Sequence, residues 1–189
     1  MDFLQLAAKR QSVRRYLDKP VEREKIERCL EAARLAPSAC NSQPWKFIVV
    51  DDPELKTMVA NQTFGKVLSF NRFTLEAPAV VLIVAEQQTA FARFAGFIKK
   101  RPLKYFDIGI AAEHFCLQAA EEGLGTCMLG WFKSKVIKKR LGIPRNKRVE
   151  LLITLGYPPS DEIREKKRKN IEQMRSYNRY EAGGETENL

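Results

Sequence analysis

Residues Asp107 to Glu122, DIGIAAEHFCLQAAEE, constrain the fold of this chain more than any other stretch. Ile108, Ile110, Ala111, Ala112, Phe115, Cys116, Leu117, Ala119 and Ala120 leave almost no polar face. A helix with that pattern is buried on most sides, which places it centrally. Gly123-Leu124-Gly125 stops it. Four more helices are expected. They are Asp2–Lys9, Pro20–Leu35, a short one opened by Asp52-Pro53, and Ser134–Leu141, closed by Gly142 and Pro144. In the second, Val21, Ile26, Cys29, Leu30 and Ala33 recur at helical spacing, and Pro20 suits a first turn. Strands are expected at Lys46–Asp51, Ala77–Glu86, Thr126–Trp131 and Val149–Tyr157. The near-continuous apolar run Ala77–Glu86 reads as a central strand. Helices and strands alternate irregularly around one central helix. That predicts an α+β domain, a small sheet against helices, rather than a doubly wound sheet. The length of 189 residues suits one domain, expected over 1–180, with a disordered tail over 181–189. Residues 87–106 give no readable element; Phe91, Phe94, Phe97 and Phe106 within them suit a lid or a core equally.

Lys and Arg total 33 against 23 Asp and Glu, a net charge of +10. That excess favours an anionic partner: nucleic acid, a phosphorylated cofactor, an acidic protein or an acidic membrane surface. The longest apolar run, Ala77–Ala85, is too short to span a bilayer, so no membrane association is expected. Cys29, Cys40, Cys116 and Cys127 form no C-x-x-C pair, and no signal peptide precedes them. Reduced thiols in a cytoplasmic protein are the simplest reading. No G-x-G-x-x-G follows a strand, and neither a P-loop nor a G-x-S-x-G elbow occurs. His114 is the only histidine, which disfavours a His-rich metal site and a Ser-His-Asp triad. It reads as a core or interface residue. Cys40 lies in a polar loop but has no second histidine to activate it as a nucleophile.

Two segments are suited to binding. In RQSVRRY, Arg10, Ser12 and Arg14 alternate. In an extended segment alternate side chains point the same way, so these three could face one ligand while Val13 packs inward. Guanidinium forks and a hydroxyl suit a phosphate or an oxygen-rich ring. A solvated run capping the first helix is the alternative. In PSACNSQPW, Ser38, Asn41, Ser42 and Gln43 lie between prolines. Such a loop can read the heteroatoms of a ring, or satisfy its own backbone as a turn.

These stretches stand in order with two others: RQSVRRY, then about twenty residues on APSACNSQPW, then GLGTCMLG, then LGYP, together spanning 10–158. The set resembles the nitroreductase family of FMN enzymes. The resemblance implies a nitroreductase-like fold with a small, mainly antiparallel sheet flanked by helices. It implies an intertwined homodimer that exchanges its C-terminal segment, here Ile171–Tyr180, and binds FMN between subunits. NADH or NADPH would reduce the flavin and leave, and a small organic acceptor such as a nitroaromatic or quinone would then take the electrons. The flavin carries that chemistry, so no catalytic side chain is expected.

Carried over by position, Arg10 and Ser12 match the family's FMN-binding pair, with Gln11 giving a backbone contact and Arg14 near the pyrimidine end. Pro37, Ser38, Ala39 and Asn41 match the loop that reaches the flavin of the other subunit. Asn71 matches an asparagine at the ring edge; the lysine that some members carry three residues later is here Thr74. Leu129 and Gly130 match the pair whose backbone faces flavin N5. Lys166 and Arg168, in REKKRK, match two basic residues for the phosphate. Small residues on the central helix, Ala111, Ala112, Ala119 and Ala120, suggest that a partner subunit covers it.

FMN does not absorb the whole charge. Lys133–Arg148 holds eight basic residues and no acidic one. A solvated face is the plain reading. An acidic electron-transfer protein of ferredoxin type, docking in place of the nicotinamide, is a second. Specific nucleic-acid binding is not expected, since interleaved aromatics and a nucleic-acid fold are missing. An FMN-binding protein without turnover is a further alternative.

Overall fold

The computed structural model of the chain describes residues 1–65, 69–90 and 102–181. Phe91, Phe94, Phe97 and the expected tail from Ala182 onward lie outside the described residues. Six α-helices are described: α1 Phe3–Lys9, α2 Arg23–Arg34, α3 Pro53–Ala60, α4 Leu103–Glu121, α5 Ser134–Arg140 and α6 Ile171–Met174. Single 3-10 turns form at Ala39–Asn41 and Arg72–Leu75. The strands are β1 Trp45–Val50, β2 Ala79–Ala85, β3 Gly125–Leu129 and β4 Arg148–Gly156. They form one antiparallel sheet in the order β1-β2-β4-β3.

β2 is buried at every position, as its apolar run requires, because both sheet faces are covered. Val81 and Ile83, with Ile153 and Leu155 of β4, pack against Ile26, Cys29 and Ala33 of α2 and Ile108, Ala112 and Phe115 of α4. Val80, Leu82 and Val84, with Leu152, pack on the other face with Val59 of α3 and Ile137 of α5. Successive side chains along a strand point to opposite faces, so one strand serves both cores. Two helix starts are fixed locally. Asp2 and Gln5 form a reciprocal capping box on α1. Asp52 accepts from Leu55 N at 2.8 Å, with Pro53 in the first turn of α3.

Three sequence expectations need correction. Helix α2 starts at Arg23, so Pro20 lies outside it. Glu22 at its N-cap does not cap; its carboxylate accepts from Tyr157 Oη at 2.5 Å. Helix α4 starts at Leu103, four residues ahead of Asp107. The third concerns its alanines. Ala111, Ala112, Ala119 and Ala120 are buried within this chain, and Ala112 and Ala119 pack in the cluster that holds α2. They therefore do not call for a partner. The outer face of α4 instead exposes Tyr105, Phe106 and Ile110.

After α1 the chain runs as an extended arm along the sheet. Val13 N donates to Thr126 O at 2.8 Å, and Leu17 N to Tyr157 O at 2.9 Å. Two glycines make room for this crossing. A Cβ on Gly125 would lie 2.7–2.8 Å from Val13 side-chain atoms. One on Gly156 would lie 2.5 Å from Pro78 and 2.9 Å from the Tyr16 ring. Gly125 and Gly156 are themselves partners across β3 and β4. Tyr16 is buried beneath the arm, its Oη donating to Val13 O at 2.8 Å and lying 2.6 Å from Thr154 Oγ1.

Candidate functional site

The arm presents its polar side chains as its alternation predicts, with Val13 turned onto Gly125. Arg10 packs beside α4, where its Nε lies 3.0 Å from Glu113 Oε1. Arg14 is exposed. Against this arm lies the segment that follows β4. Gln11 Nε2 donates to Glu162 O at 2.8 Å, while Gln11 Oε1 accepts from Arg164 N at 3.2 Å and Arg164 Nε at 3.3 Å. Arg164 Nη2 donates to Ser12 O at 2.6 Å. The Gln11 side chain is thus a clip for the tail, leaving its backbone for any ligand.

Both ends of the chain thereby line two adjoining concavities, of about 350 and about 290 Å³. Gln11, Ser12, Arg14 and Arg164 belong to both. The larger is walled by the cations Arg10, Arg14, Arg164, Lys166, Lys167 and Arg168, with Glu165 as its single carboxylate. Partial burial, with Arg10 and Arg168 beside it, holds the Lys166 ammonium below the ordinary lysine range. This donor set fits a phosphate: guanidinium forks match its oxygens, and clustered positive charge favours a dianion.

A second group gathers beyond the other end of β3. Leu129 is buried, and Gly130 follows it in the open. Lys133 N donates to Gln62 O at 2.8 Å, and the buried Asn71 donates through Nδ2 to Thr63 O at 3.2 Å. Asn71 and Lys133, three residues past Gly130, are therefore tethered to the same turn after α3. Thr74 is fully buried, with its hydroxyl 2.8 Å from Thr63 Oγ1 and 2.9 Å from Asn71 O. Thr74 is thus an internal staple between the turn after α3 and Asn71.

The loop Pro37–Asn41 is held differently. Ala39 N donates to Asp107 Oδ1 at 3.0 Å, and Asp107 is buried with its second oxygen unpartnered among the described residues. Within the loop, Ser38 Oγ accepts from Gln43 N, Ser42 Oγ donates to Ala39 O, and Asn41 Oδ1 accepts from Gln43 Nε2. Cys40, Asn41 and Gln43 all adopt positive φ, between 43° and 52°. Such crowding of left-handed non-glycine residues is costly and marks a conformation fixed by its surroundings. No hydrogen bond among the described residues joins this loop to the arm.

Sequence reasoning missed Arg164, Glu113 and Asp107. Asp107 carried a signal: it is the one acidic residue in the first half of a largely apolar helix. Arg164 carried only its place in a crowded basic run. Among the described residues no cluster suits a metal ion, and no helix is long and apolar enough to cross a membrane.

The sequence matches the family model described as "Nitroreductase family" over residues 7–157. A protein of Archaeoglobus fulgidus named as an NADH dehydrogenase/NAD(P)H nitroreductase is 35% identical over 165 residues, which cover 85% of this chain and 87% of that protein. An iodotyrosine deiodinase of Thermotoga neapolitana is 28% identical over 173 residues, covering 81% and 87%. The solved structure of an FMN-dependent nitroreductase of Clostridium difficile is 31% identical, with a TM-score of 0.73 over 94% of this chain and 100% of that one.

Proposed function

The chain belongs to the nitroreductase family, and from that premise we propose that it is an FMN-dependent oxidoreductase, one domain over 1–180 acting as a homodimer. The observation that carries this reading is the cationic concavity made by the RQSVRRY arm and the tail, which suits the phosphate of FMN. When bound, FMN would take two electrons as hydride at N5 from NADH or NADPH and yield them to a small organic acceptor, a nitroaromatic or a quinone. A relative named for NADH and NAD(P)H supports the donor, while relatives named for nitro reduction and for deiodination single out no one acceptor.

The chain's own residues supply binding and orientation. Arg10, Ser12 and Arg168 face the phosphate end, and the Gln11 backbone borders it. Arg14 stabilises negative charge at the pyrimidine end of the reduced ring. Leu129 and Gly130 bring backbone to N5, with Asn71 at the ring edge. Pro37, Ser38, Ala39 and Asn41 serve the flavin of the other subunit. Helical geometry supports that last assignment. Asp107, which holds the loop, and Glu113, which meets Arg10, are separated on α4 by about 9 Å along the axis and roughly 120° around it. Four free thiols, three of them buried, suit a reducing compartment such as the cytoplasm.

One observation favours a second electron donor. Lys133, Lys135, Lys139, Arg140 and Arg145 are exposed, form no ion pair among the described residues, and follow Gly130 closely in the chain. That surface suits an acidic electron-transfer protein. Anaerobic mixing of the FMN-loaded protein with NADH, NADPH or a reduced acidic ferredoxin, across a salt series, tests both. Bleaching by a nicotinamide, reversed by a nitroaromatic, is expected. Bleaching by ferredoxin alone, falling steeply with salt, would move the assignment to the protein donor. No bleaching by any donor would leave a flavin-binding protein without turnover.

A further inference from the structure

The tail supplies more cations than a phosphate can use, and their free N–H groups differ. A lysine ammonium has three N–H donors and an arginine guanidinium five. Lys166 Nζ donates to Ala7 O at 3.1 Å, to Ala8 O, and to Arg10 O at 2.6 Å. Those carbonyls belong to the C-terminal turn of α1 and the residue after it, where helix carbonyls lack intrahelical partners and favour a cation. All three Lys166 donors are therefore spent. Arg164 uses Nε on Gln11 Oε1 and one Nη2 hydrogen on Ser12 O, so three N–H groups remain free among the described residues. Its guanidinium is anchored beside Ser12 and borders both concavities, whereas Lys166 borders only the larger.

We propose that Arg164, which sequence matching passed over, binds the cofactor phosphate together with Arg10, Ser12 and Arg168, while Lys166 is a positioning residue that clips the tail to α1. The proposal rests on FMN as the cofactor. Riboflavin separates the two roles, since it has the same ring and no phosphate. Titration of the flavin-free full-length protein with FMN and with riboflavin, followed by quenching of flavin fluorescence, gives both affinities for each variant.

Arg164→Gln is expected to weaken FMN about ten- to a hundredfold, as loss of a charge-assisted contact does, and to leave riboflavin within about threefold. Lys166→Gln is expected to weaken both flavins alike, and Lys166→Arg to restore both. Equal loss of both flavins in Arg164→Gln, or unchanged FMN affinity, would overturn the proposal. So would a loss confined to FMN in Lys166→Gln. Wild-type protein that binds neither flavin would instead remove the cofactor assignment itself.

Discussion

The Tyr16 hydroxyl ties the arm to the sheet, and the tie is internal to the fold. Burial pushes its phenol far above the ordinary tyrosine range, so it stays protonated and donates to Val13 O at any workable pH. Tyr16→Phe takes the hydroxyl from Val13 O and leaves Thr154 Oγ1 only its 3.4 Å donation to Cys127 O. The expected loss is about 1–3 kcal/mol, read as a lower urea midpoint together with faster flavin release. An unchanged midpoint would mean that the arm is held by its backbone bonds alone. The thiols give a second test. Burial raises Cys29 and Cys116 to about 12 and pushes Cys127 up as well, while Cys40 is exposed. Native protein at pH 8 should therefore titrate no more than one fast thiol per chain, and unfolded protein four. Folded values above the unfolded value near 9 mean that the unfolded chain binds fewer protons in alkali, so stability falls between about pH 9 and 12. More than one fast thiol at pH 8 would contradict the packing of α2 and α4.

Between elements, three of the four sequence motifs prove to meet at one crossing, while the Pro37–Asn41 loop is held apart from it by Asp107. The arm RQSVRRY crosses Gly125 of GLGTCMLG and Gly156 of LGYP, and each glycine is where a side chain of the arm comes closest. The strands were legible because apolar runs and alternation follow directly from which face is buried. The start of α4 was not, because Pro102 at its N-cap makes no side-chain cap and leaves no local signal. Nor was the start of α2, where Glu22 turns to Tyr157, distant in sequence. The division of labour between Arg164 and Lys166 was out of reach for the same kind of reason: it depends on which carbonyls of α1 stand nearby. Asp107 could have been flagged, but its target Ala39 lies 68 residues away.

As a whole molecule, the chain leaves apolar surface without cover. Met174 and Tyr177 near α6 are each 71% exposed and Tyr180 is 91% exposed, while Phe106 and Ile110 on α4 and Phe3 and Leu4 on α1 also face outward. Patches of this kind mark an interface. Light scattering should give twice the 21.7 kDa chain mass, and removal of residues beyond 170 should weaken that dimer. A stable monomer with FMN fully bound would contradict the assignment of the Pro37–Asn41 loop to the other subunit. If the fold is built around FMN, the flavin content of the purified full-length protein after reconstitution with FMN reveals it. Yellow protein with one FMN per chain, released intact on denaturation, is expected. Colourless protein that takes up no FMN would contradict it.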